Sequence, residues 1–114
     1  MPQKNEKPST FKIFDRDIDN DTKLSLSSSL ALAVDTEAMG LIHGRDRLCL
    51  IQICDEFDNV ICIRIEQDQH SAPLLKSILE KKTIEKVFHF ARFDVAALAS
   101  NLNIEVNPIF CTKI

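Results

Sequence analysis

Apolar residues along this chain change their spacing several times, and each change marks an element. Residues 31–35 (A-L-A-V-D) form a short apolar run, the pattern of a strand buried on both faces. Residues 47–54 (R-L-C-L-I-Q-I-C) and 59–65 (N-V-I-C-I-R-I) are rich in β-branched side chains. Only Asp55-Glu56-Phe57-Asp58 lies between them, so they are predicted to pair as an antiparallel hairpin. After Ser71-Ala72-Pro73 the spacing becomes helical. Leu74, Leu75, Ile78 and Leu79 share one face, and Pro73 suits a first turn, where its missing N–H has no intrahelical partner to lose. Residues 86–90 (K-V-F-H-F) read as a strand again. Residues 93–102 (F-D-V-A-A-L-A-S-N-L) have high helix propensity, with Asp94 in the first turn, where the helix dipole favours negative charge. Asn107-Pro108 breaks the chain before a last apolar element at 109–112.

The N-terminal part is polar and less regular. Residues 1–10 read as a loose tail and residues 11–14 as a short edge strand. Residues 15–21 (D-R-D-I-D-N-D) resemble the start of a calcium loop. Asn20 stands where that loop needs its turn glycine, and Leu26 where it needs a bidentate Glu, so a solvated turn is the better reading. The order from residue 31 on, β-β-β-α-β-α-β, predicts an α/β fold in one domain over residues 11–114: a mixed sheet with helices packed on it. The chain closes on Phe110-Cys111-Thr112-Lys113-Ile114 without a polar tail, the pattern of an element cut short.

Composition narrows the function. At 114 residues and 45% hydrophobic content the chain can bury a core, which excludes a disordered segment. A net charge of −3 argues against a module that holds nucleic acid mainly by neutralising phosphates. Any nucleic-acid contact must be local or carried by bound cations. The four cysteines, at 49, 54, 62 and 111, form no C-x-x-C pair and have no His-x-x-x-His partner, so reduced thiols and a cytoplasmic location are expected. No signal peptide is visible, and no apolar run is long enough to span a bilayer.

The sharpest chemical feature is Asp35-Thr36-Glu37. On a strand, residues two apart point the same way, so Asp35 and Glu37 converge from the end of an apolar segment. Carboxylates that close repel unless a proton or cation lies between them, and hard oxygen ligands suit Mg2+ or Mn2+. Taken alone, the triplet is more simply a strand meeting water. Asp94 changes the balance. If residues 86–90 pair in parallel with 31–35, both strand ends lie at one edge of the sheet, and Asp94 can approach the same cation pair. Its plainer role is a charge on the helix dipole.

Asp35-Thr36-Glu37 followed by Gly40-Leu41 resembles the first motif of the DEDD exonuclease superfamily. His89-Phe90-Ala91-Arg92-Phe93-Asp94 is similar to its second motif, in which an aromatic precedes an Asp at a helix start. Leu48 to Ile53 (L-C-L-I-Q-I) resembles the second strand of ribonuclease D-like members, and Phe110-Cys111-Thr112 sits where their next strand ends. The resemblance implies a ribonuclease H-like fold and two-metal hydrolysis of phosphodiesters from the 3′ end, RNA favoured. Asp35, Glu37 and Asp94 would be the catalytic metal ligands for Mg2+ or Mn2+. The candidate substrate contacts are Met39, His89, Arg45 and Arg92. For Met39 a packing role weighs about equally. A half-buried, hydrogen-bonded structural role is favoured for His89, and a solvated loop for Arg45 with His43 and Arg47.

The chain also departs from the family pattern. The resemblance calls for a fourth carboxylate and a Tyr or His that orients water, both on a later helix. This chain contains no tyrosine, and Glu105, the only acid after Asp94, lies in an unsuitable connection. Phe90 stands where many relatives have Asn. The expectation is therefore a domain truncated before its third motif and impaired as an isolated chain. Its uncovered sheet surface would favour self-association, and a non-catalytic nucleic-acid- or partner-binding remnant is the alternative.

Overall fold

The computed structural model describes residues 9–39 and 47–112. Its strands are β1 (Phe11–Asp15), β2 (Ala31–Ala38), β3 (Leu48–Cys54), β4 (Val60–Arg64), β5 (Glu85–Phe88) and β6 (Ile109–Cys111). Its helices are α1 (Asn20–Ser27), α2 (Pro73–Leu79) and α3 (Ala91–Leu102). The strands form one sheet in the order β1-β4-β3-β2-β5-β6. The middle three, β2, β3 and β4, are antiparallel neighbours, and β1, β5 and β6 join in parallel. This is the mixed α/β sheet that the strand and helix order predicts.

Register explains which side of the sheet is buried. Val34 lies opposite Ile53 and Ile53 opposite Ile61, while Ile51 lies opposite Ile63. These residues, with Leu32 and Phe88, join Leu75, Ile78, Leu79, Leu98 and Leu102 of the helices in one core cluster. The other face carries Ala33, Gln52, Arg64 and Phe110, all exposed. The apolar run at 31–35 is therefore buried on one face only. Leu32 and Val34 point into the core, while Ala33 and Asp35 point away from it.

The hairpin between β3 and β4 turns as expected. Asp55 Oδ1 accepts the amides of Phe57 and Asn59, each at 2.9 Å, and Asp58 takes the left-handed φ of 64° that closes the turn.

The acidic stretch at 15–21 is not a solvated turn. Asp15 ends β1 and forms a two-pronged pair with Arg64, at 2.7 and 3.1 Å. Asp17 accepts the amides of Leu74 and Leu75 and so caps α2 from across the fold. Asp19 caps α1 by accepting the Thr22 amide at 2.9 Å. Helix α1 was not expected from the sequence because it buries only Thr22 and Leu26 and leaves Leu24 exposed, too little apolar spacing to read.

Candidate active site

The site grows from two parallel neighbours, β2 and β5, whose C-terminal ends lie at the same edge of the sheet. The acidic triplet is not at the end of β2 as expected, because pairing with β3 continues through Glu37 to Ala38, with a register irregularity between those two residues. Asp35 and Glu37 are exposed and lie on the face away from the helices. Thr36, between them, points to the opposite, helix-covered side, consistent with the two-residue period of a strand. The Thr36 amide donates to Asp35 Oδ1 at 3.1 Å.

Asp94 arrives from the first turn of α3. That helix begins at Ala91, two residues earlier than its composition suggests, after Phe90 in a left-handed conformation with φ 58° and ψ 61°. The turn at Phe90 redirects the chain from β5 and brings Asp94 under the triplet, where its Oδ1 accepts a hydrogen bond from the Thr36 hydroxyl. Asp94 is buried at 6% exposure. Burial pushes its carboxyl above the usual carboxylate range. The Thr36 hydroxyl opposes that rise, and repulsion from Asp35 and then Glu37 adds to it. Asp94 thus feels both of the other acids. Among the described residues they are not drawn into a ready-made metal cluster, because Asp94 reaches Thr36 from the helix side while the other two face outward.

The remaining candidates fall around the same edge. Met39 follows β2 at 69% exposure, which excludes a core role, and its amide donates to the Arg47 carbonyl at 3.0 Å. His89 follows β5 and is exposed rather than half-buried. Its Nδ1 is 3.0 Å from the Thr112 hydroxyl, and its ring meets Phe90 edge-on at 4.8 Å. Arg92 is exposed in the first turn of α3. Arg45, with Gly40, Leu41, His43 and Gly44, lies outside the described residues. Arg47 donates to the Ile65 carbonyl at 3.0 Å and so ties down the start of β3. Thr36 was not singled out from the sequence. The available signal was its place between two acids that must point the other way.

The donor set fits a hard divalent cation: carboxylate oxygens alone, two of them open to solvent, with a third acid held nearby against its own burial cost. A family model for 3′-5′ exonuclease domains matches residues 11–114. The chain belongs to that 3′-5′ exonuclease family. Within it the likeness is to the ribonuclease D type. The chain is 31% identical over 90 residues to ribonuclease D of Bartonella henselae, covering 79% of this chain and 22% of that protein. It is 40% identical to Brucella melitensis NrnC solved with bound Mg2+, with a TM-score of 0.84 over 90% of this chain and 50% of that one. Escherichia coli RNase D, at 21% identity and a TM-score of 0.71, shares the fold. The chain thus spans about half the length of the NrnC structure it matches and a smaller part of the Bartonella relative. Among the described residues no helix is long and apolar enough to cross a membrane.

Proposed function

We propose that this chain contributes the metal-binding part of a 3′-5′ exonuclease that trims RNA from its 3′ end in the cytoplasm. What supports the reading is that β2 and β5 end at one edge of the sheet, where Asp94 meets Thr36, the residue between Asp35 and Glu37, and has its pKa raised by burial and by both acids. Asp35 and Glu37 would hold Mg2+ or Mn2+ on the open face, and Asp94 would complete the anionic field from below. Bound there, the cations would supply an activated water and a clamp on the attacking and leaving oxygens. Met39, His89, Arg92 and Arg45 would contact the substrate near its terminal nucleotide. Met39 offers an apolar surface to a base, and the other three offer donors to phosphate.

Two structures of one relative support the ligand classes. NrnC of Brucella melitensis is known with bound Mg2+ and, at 39% identity, with bound pGG. The 114 residues hold three of the four carboxylates that the resemblance calls for and no tyrosine, so the isolated chain should bind RNA better than it cuts it. The uncovered face around Ala33, Val87 and Phe110 also supports self-association of the isolated chain.

The test is binding and trimming of a 5′-labelled RNA by the purified chain with Mn2+, beside Asp35→Ala. The account expects Mn2+-dependent binding that Asp35→Ala abolishes, with little or no shortening. A ladder shortening from the 3′ end and lost in Asp35→Ala would overturn the claim of impairment. Binding that ignores both Mn2+ and Asp35→Ala would overturn the metal-site reading.

A further inference from the structure

We infer that Thr36 is a positioning residue: it ties Asp94, on the helix side of the sheet, to the acid pair on the open side and so sets the strength of cation binding. The inference rests on the reading of Asp35, Glu37 and Asp94 as a cation site, and deepens it.

Two hydrogen bonds carry the argument. The Thr36 amide donates to Asp35 Oδ1 at 3.1 Å, and the Thr36 hydroxyl donates to Asp94 Oδ1. A single residue therefore contacts carboxylates on both sides of one strand. Strand geometry requires this division. Asp35 and Glu37 share one face, so the residue between them must point the other way, toward α3. Asp94 has strong reasons to move off. It is nearly buried, and two like charges stand close by. A donor fixed on the rigid strand opposes both effects. The hydroxyl also constrains the carboxylate's orientation by engaging its Oδ1. Groups that orient a metal's ligands without touching the metal are worth about 10–100-fold in affinity.

A threonine suits this position for reasons of packing as well. It is β-branched, as a strand favours, and lies opposite Ile51 on the core side of the pair. Valine keeps that shape and removes only the donor. Serine keeps the donor and removes only the methyl group.

The experiment is a titration of the purified 114-residue chain with Mn2+, following the free-ion signal by electron paramagnetic resonance. It compares wild type, Thr36→Val, Thr36→Ser, Asp94→Ala and the Thr36→Val/Asp94→Ala double variant, each with a metal-free thermal melt. The expected result is an affinity for Thr36→Val about tenfold or more below wild type, with Thr36→Ser within about twofold of wild type. In the Asp94→Ala background, Thr36→Val should add nothing, because its effect runs through Asp94. Equal affinity for Thr36→Val and wild type would overturn the inference, as would a Thr36→Ser as weak as Thr36→Val. So would an additive double variant. An Asp35→Asn control separates the two levels. If it binds Mn2+ as wild type does, the cation-site reading itself fails and the role of Thr36 fails with it. If Asp35→Asn loses binding while Thr36→Val keeps it, only the role of Thr36 is lost.

Discussion

Single residues in this fold illustrate how burial and charge are balanced, and Lys86 is the clearest case away from the site. It lies in β5 with no exposed surface, opposite Leu32, and its Nζ donates to the carbonyls of Lys81 and Asn107. Burial, with the like charge of Lys81, pushes its pKa down to about 8. The unfolded chain keeps an ordinary lysine pKa of roughly 10.4, so between the two values the unfolded state holds more protons. Stability from this group should therefore rise with pH from about 8 toward 10, and its penalty is fully present below that window. Chemical denaturation at pH 7.5, 9 and 10 checks this. Wild type should gain stability across the series relative to Lys86→Met, and parallel profiles would show that Lys86 does not carry the effect. None of this was legible in the sequence, where Lys86 appears only as the polar first residue of a short strand. Asp35, Glu37 and Asp94 could be read as candidates because acids beside apolar runs stand out. Thr36 could not, because its role depends on which face α3 occupies.

At the scale of elements, the distant cap on α2 matters most for the frame of the site. Ala72 precedes the helix and supplies no side-chain cap, so Asp17 takes that role by accepting the amides of Leu74 and Leu75, each at 2.9 Å. The same carboxylate accepts its neighbour Ile18's amide at 2.8 Å, which fixes the end of β1. Asp17→Ala should cost about 1–2 kcal/mol and loosen α2 and β1 together. Hydrogen exchange at Leu74, Leu75 and Ile18 reads this directly, and unchanged protection at all three would contradict it. The strands and the second and third helices were readable because their apolar spacing is strong. Helix α1 was hidden because a capped turn of aspartates looks like a loop when the apolar face behind it is so small. Asp17 and Asp19 act across 57 and 3 positions respectively, and only the second distance is visible to a local reading.

At the largest scale, the helices among the described residues all pack on one side of the sheet. The helices cover the face of Leu32, Ile51 and Ile63, while the opposite face combines the acid pair with Ala33, the half-buried Val87 and the exposed Phe110. An apolar surface of that kind favours association in water. Sedimentation of the purified chain should show concentration-dependent dimers, and Phe110→Asp should shift the population to monomer. A concentration-independent monomer would contradict the prediction. The mixed order of strands was legible in outline from the short hairpin connection and the later helical crossovers. Which face stays open was not, since the alternation in A-L-A-V-D is masked by alanines that suit either side.

We propose that Asp35 and Glu37 hold a divalent cation on this open face, with Asp94 reaching the pair from the helix side. The most direct measurement is anomalous scattering from crystals of the chain soaked in Mn2+. The account predicts a peak within about 2.0–2.3 Å of carboxylate oxygens of both Asp35 and Glu37. It further predicts that Asp94 approaches the ion directly or through a water. A peak elsewhere, or none at these residues in crystals that bind Mn2+, would contradict it.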